Sequence, residues 1–208
     1  TYRASAAELR LLYEEALGVD GVVGLAVATR PDTLPEETVD LLSCINQTCP
    51  VFVELGVESL CDTTLQTINR GHDSAAADDA FLRLADAGLH VGVHLIAGLP
   101  GETDETVLET VRRVCALPVD SIKMHHLQVL KGTPLCRMVE NGELRVPRYT
   151  PESYLDLCVR IVGEVPRHIA IERFLASSPP AEVVSPHWGL KNHEFVNLLI
   201  NELKNRKL

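Results

Sequence analysis

Along the first residues, apolar positions recur at helical spacing: Leu9, Leu12, Tyr13 and Ala16 share one face of residues 4–17. Ser5 offers a cap at one end and Gly18 a stop at the other. The period then drops to two, and over residues 22–29 Val23, Leu25 and Val27 alternate with Gly24, Ala26 and Ala28. The same pair of patterns repeats. A loop at 31–35 leads to a helix over 36–45 and a strand over 51–57. A helix over 63–69, a turn at 70–73 and a helix over 75–87 follow, the last ended by Gly88. A strand from His90 runs into the turn GLPGET, then come a helix over 104–117 and a fourth strand over 121–129. Beyond Pro134 the rhythm changes to a short turn at 135–142, a helix over 151–165 and a β-like piece at 168–174. A polar loop at 177–186 and a closing helix over 192–204 complete the chain, and no linker divides it.

Strand and helix alternating every ~30 residues predict right-handed βαβ units on a parallel sheet. Strands buried on both faces read as unbroken aliphatic runs, and these do not. In 51–59 the aliphatic residues Val51, Val53, Leu55 and Val57 alternate with Phe52, Glu54, Gly56 and Glu58. His94 falls on the non-aliphatic face of its strand, and Lys123 and His125 share a face of theirs. The parity therefore predicts one polar interior holding Glu54, Glu58, His94, Lys123 and His125. Ligands of parallel α/β folds bind at the carboxyl ends of strands, where these residues lie.

Composition narrows the chemistry. With 46% hydrophobic and 23% charged residues the chain is an ordinary globular one. No apolar run approaches the ~20 residues of a membrane span and the first residues do not read as a signal peptide, so a cytoplasmic location is expected. A net charge of −10 argues against a broad nucleic-acid surface. The six cysteines are scattered, with no C-x2-C pair, and read as reduced residues; Cys44 and Cys49 lack anything nearby to complete a metal site. GLPGE has the glycines of a phosphate-binding turn, but no Walker lysine follows. No nucleophile elbow or H-E-x-x-H occurs, and the side chains of His125 and His126 point to opposite faces. Hydrolysis by serine, cysteine or zinc is unsupported. The segment around Trp188 reads as a packing cap on the sheet.

Together, ATRPD (28–32), VELGVES (53–59), INRGHD (68–73), HLIAGLPGET (94–103) and HHLQVLKGTPL (125–135) resemble the radical SAM enzymes. The wording is most similar to the Elp3-like branch, and within the superfamily to the YhcC-type group. The resemblance implies an α/β fold, a partial TIM-like (βα)6 barrel lacking its first strands, with a C-terminal α-rich extension. Residues 1–134 would form about strands three to six, and 135–208 a helical extension packed on them. It implies S-adenosylmethionine (SAM) and a [4Fe–4S] cluster as cofactors, and flavodoxin or ferredoxin as reductant. Such enzymes cleave SAM reductively to a 5′-deoxyadenosyl radical that takes hydrogen from substrate.

By the same match, Glu58 and His94 hold ribose-side places and Arg70 that of an arginine pairing with the methionine carboxylate. Ile96 and the backbone around Leu127 and Val129 match the adenine region, and Glu54 and Ser59 complete the expected cofactor-binding set. Two departures stand out. No C-x-x-x-C-x-x-C occurs, so cluster ligands are expected upstream and none in this chain, which would be the C-terminal part of its parent and inactive alone. GLPGET also carries its glutamate one place later than G-x-I-x-G-x-x-E, with His94 at the initial glycine. Elp3-like relatives act on tRNA, but the acidic balance makes tRNA an unfavoured substrate here. The competing expectations are a cluster-free binding or assembly module, and a TIM-barrel lyase or isomerase with Lys123 as Schiff-base lysine and Glu54 as acid/base. Exposed sheet edges would also favour self-association.

Overall fold

The computed structural model describes residues 4–207. Helix α1 (Ala6–Leu17) is started by Ser5, whose oxygen accepts the Glu8 N–H while the Glu8 carboxylate accepts the Ser5 N–H. Strand β1 (Leu25–Thr29), helix α2 (Glu36–Asn46) and strand β2 (Val51–Glu58) follow, then two helices, α3 (Asp62–Thr67) and α4 (Ser74–Asp86). Next come β3 (His90–Ala97), α5 (Asp104–Cys115), β4 (Ser121–His126), β5 (Val129–Leu130), α6 (Pro134–Glu140), α7 (Pro151–Glu164), β6 (Ala170–Arg173), β7 (Val183–Ser185) and α8 (Asn192–Arg206).

Five strands form one parallel sheet in the order β1-β2-β3-β4-β6, as the alternation predicts. Among the described residues β1 and β6 are its two ends and do not pair with each other. One face is aliphatic: Val53, Leu55, Val91, Val93, Ile122 and Met124 are fully buried in the same core as Leu42, Phe81, Leu84, Val111 and Leu157 of the helices. Sealing a leucine or valine there is worth about 1.5–3 kcal/mol. The opposite face stays partly open, its residues half-exposed at every second position of β2. Gly92 on that face has to lack a side chain, because a Cβ would lie 2.9 Å from both the Phe52 ring and Ser121 Oγ.

Three local expectations change. The fourth strand ends at His126 instead of running to 129: Leu127 N–H still reaches Ala97 O, after which the chain leaves the sheet. Val129 and Leu130 pair antiparallel with Ser185 and Val183 in a separate two-stranded ribbon, so the polar loop holds a strand. The turn expected at 135–142 is the helix α6, capped by Thr133, whose hydroxyl accepts the Cys136 N–H, and opened by Pro134. Among the described residues no helix is long and apolar enough to cross a membrane.

Candidate functional site

The register of the sheet sets a row of polar side chains side by side on the open face. Gly92 of β3 lies opposite Glu54 of β2, His94 opposite Gly56 and Lys123, and Ile96 opposite His125. His94 Nε2 lies 2.9 Å from Glu54 Oε2, and the Lys123 ammonium donates to Glu54 Oε1. Lys123 also pairs with Glu172 of β6 at 3.4 Å, and Glu172 accepts from Ser121 Oγ at 2.5 Å. Burial opposes ionisation of Glu54, but its bonds from Lys123 and His94 outweigh burial and lower the carboxyl below its ordinary range. The His125 ring sits 5.4 Å from that of His94. Burial, and then the charges of His94, Arg173 and Lys123, push His125 down to about 4, so it is neutral at pH 7. Four of the five residues expected in one polar interior thus form a row, His94 and Lys123 joined through Glu54 and the His125 ring beside that of His94.

The fifth, Glu58, stands at the carboxyl end of β2, where the register shifts. It adopts a left-handed backbone (φ 71°), a conformation costing a non-glycine residue about 1–3 kcal/mol. Its carboxylate lies 3.0 Å from the Arg70 guanidinium, which also donates to the Gly56 carbonyl. Gly56 permits this approach, since a Cβ there would stand 2.8 Å from Arg70 Nη2. Burial outweighs the Arg70 and His94 charges and raises the Glu58 carboxyl. The two residues expected to hold different ends of one ligand are therefore joined, and Arg70 Nε is buried with no partner.

Ser59 is only 1% exposed and faces inward. Its hydroxyl donates to Glu102 Oε1 at 2.5 Å and accepts the Cys61 N–H at 3.0 Å. Glu102 is the glutamate of the GLPGE turn, and burial raises its carboxyl. The turn thus ties the loop after β2 to the loop after β3, a role the glycine pattern did not disclose. Ile96 is on the open face, half-buried. Leu127 and Val129 line a cavity of about 620 Å³ with Ala97, His126, Tyr149 and Trp188.

Sequence reasoning also missed Glu172 and Arg173, on a four-residue strand too short to show a period, and the aromatic stack beside His126. That ring lies 4.2 Å from Trp188 and accepts the Ala176 N–H at its Nδ1. Burial, with the neighbouring His125, holds His126 at about 4.

No group of three His, Cys, Asp or Glu side chains among the described residues could hold a metal ion, and the six cysteines are free thiols. The residues present do not fit an iron–sulfur cluster. They do suit a ligand bearing hydroxyls and a carboxylate, with a guanidinium donor to spare.

The Radical SAM superfamily is matched over residues 1–114 and the Radical_SAM C-terminal domain over residues 119–205. Uncharacterized protein YtqA of Bacillus subtilis is 34% identical over 198 residues, 95% of this chain and 61% of that protein. Protein YhcC of Escherichia coli is 36% identical over 181 residues, 86% of this chain and 58% of that protein. The chain thus spans about three fifths of these curated relatives. Among solved structures, the archaeal Methanocaldococcus infernus Elp3 with an N-terminal deletion superposes with a TM-score of 0.77 at 25% identity. That match covers 89% of this chain and 42% of the other. With its five parallel strands, matched superfamily and Elp3-like fold, the chain belongs to the radical SAM superfamily, as part of a TIM-like barrel.

Proposed function

We propose that the open face of the sheet is the SAM-binding surface of a radical SAM enzyme whose whole protein cleaves SAM reductively, with flavodoxin or ferredoxin as electron source. One observation carries this reading: a half-buried guanidinium, Arg70, fixed by Glu58 and the Gly56 carbonyl yet left with a buried, unpartnered Nε, at the carboxyl end of a parallel sheet. A carboxylate answers such a donor, and the methionine end of SAM presents one. Glu58 and His94 would take the ribose hydroxyls, with Glu54 fixing the His94 ring. Ile96 would face the adenine, beside Leu127 and Val129. Leu127 has no free N–H to offer, because it bonds Ala97 O. Ser59 would act from behind, keeping the Glu58 turn in place through Glu102.

When bound beside a [4Fe–4S] cluster, SAM supplies a 5′-deoxyadenosyl radical. The described residues lack a thiolate trio for that cluster; what they do is hold and orient the two ends of SAM. Titration calorimetry of this chain with SAM tests the reading. Arg70→Ala is expected to weaken SAM at least about tenfold, or ~1.4 kcal/mol. An affinity unchanged by that substitution sinks it.

A Schiff-base role for Lys123 is not favoured. Its ammonium sits between the Glu54 and Glu172 carboxylates, the reverse of the apolar or cationic surroundings that activate such a lysine. tRNA is likewise not favoured in a chain with 29 acidic and 19 basic residues. We propose further that the β1 end of the sheet, where Val22 and Val23 are exposed just before the strand, drives self-association. A monodisperse monomer in sedimentation velocity removes that idea.

A further inference from the structure

A second cavity, of about 780 Å³, opens on the β6 side of the sheet. Gln128 just past β4, Arg173 at the end of β6, Ser177, Trp188 and Lys191 at the start of α8 contribute to its wall. No aspartate or glutamate does so, in a chain whose net charge is −10. An acid-free wall carrying two cations is therefore a local reversal of the molecule's charge. Neither Arg173 nor Lys191 is in an ion pair among the described residues, whereas Lys123, the register partner of Arg173, has two. Gln128 adds an amide oxygen that is buried and lacks a donor, a state that buried acceptors in folded proteins rarely keep.

The cavity adjoins the open face. Arg173 is the register partner of Lys123, and its charge acts on His125, the imidazole next to His94. The stacked rings of His126 and Trp188 form a common wall between this cavity and the one behind Leu127.

We propose that this cavity anchors the substrate by an anionic group, a carboxylate or phosphate that carries a hydrogen-bond donor close beside it. Arg173 and Lys191 meet the charge, the guanidinium offering two parallel donors to either oxyanion, and Gln128 Oε1 accepts from the donor. The inference rests on the SAM reading only in calling the occupant a substrate. An anchor here would place the rest of that molecule toward His125 and the face assigned to SAM.

Trp188 is the chain's only tryptophan, so its fluorescence reports on this wall. The intact chain is titrated with phosphoethanolamine and with β-alanine, which present a phosphate and a carboxylate beside the same ammonium donor, and with ethanolamine, which has no anion. A saturable change with one or both anions, and none with ethanolamine, is expected. The tighter of the two identifies the oxyanion. Arg173→Ala should weaken it at least about tenfold, ~1.4 kcal/mol, and Lys191→Ala or Gln128→Ala by smaller factors. Both cations are on the surface, so either variant is expected to keep the fold. No saturable change with either anion, or equal affinity in the Arg173 and Lys191 variants, overturns the proposal. The SAM titration is separate: its failure with anion binding intact removes the SAM reading alone, and the converse removes this one alone.

Discussion

In β2, β3 and β4, moving one residue along each strand moves from one kind of matter to another. Leu55, Val93 and Met124 are sealed against helices at 0% exposure, while His94 and Lys123 are both bonded to Glu54. The first face is held by area, which many apolar residues supply redundantly. The second is held by pairwise satisfaction, in which each charge depends on a particular partner. Damage should therefore spread differently on the two sides. On the aliphatic face a truncation leaves a cavity, whose cost depends on the volume lost. On the polar face it leaves a half-buried charge alone, and removing the partner as well should undo much of the harm.

The largest effect expected is on the aliphatic face, where Leu55→Ala should cost about 2–5 kcal/mol in urea unfolding. A value under ~1 kcal/mol would mean that the face is less tightly packed than its burial implies. On the polar face, Lys123→Met should cost about 1–3 kcal/mol, by leaving Glu54 with His94 alone. Glu54→Gln combined with Lys123→Met should then be more stable than the sum of the two single changes predicts. Strict additivity in that cycle would show that the row is a set of neighbours and not a network.

The histidines at the end of β4 divide between the two sides, and pH separates them. His126 is 5% exposed and held at about 4 against an ordinary 6.5. A base whose folded value is depressed adds stability that is complete above its unfolded value and lost as pH falls toward the folded one. His126→Asn should therefore flatten the acid limb between pH 6.5 and 4, by up to ~1.4 kcal/mol per pH unit. An unchanged slope would put the acid loss on other groups.

How much of this was legible in the chain follows from the range of each interaction. The period of two in VFVELGV and HVGVHLI gave both faces of the sheet, because neighbouring side chains decide which face is sealed. Glu54, His94 and Lys123 were placed together by parity alone. The Glu58–Arg70 pair was not, since a bulge and a left-handed residue turn Glu58 off the strand's alternation. Pairing of Val129 with Ser185 joins segments with little pattern of their own, so nothing local announced it. Helix α6 spans barely two turns, too short for an apolar stripe, and only Thr133-Pro134 hinted at its start.

Glu102 lies where the two kinds of face meet: 6% exposed like the aliphatic side, yet a carboxyl bonded to Ser59. Burial raises its folded value, so the native state binds its proton more tightly than the unfolded chain does. The stability this contributes is full below the unfolded value of ~4.3 and is lost as pH rises through the raised one. Glu102→Gln keeps an oxygen to accept from Ser59 and cannot ionise. The variant should match or fall slightly below the parent near pH 4 and gain on it as pH rises, the difference staying within about 1 kcal/mol. Paired urea titrations across pH 4–8 read that crossing. A constant offset at every pH would mean that Glu102 titrates alike in both states, and the turn after β3 would then be braced by geometry and not by a buried proton.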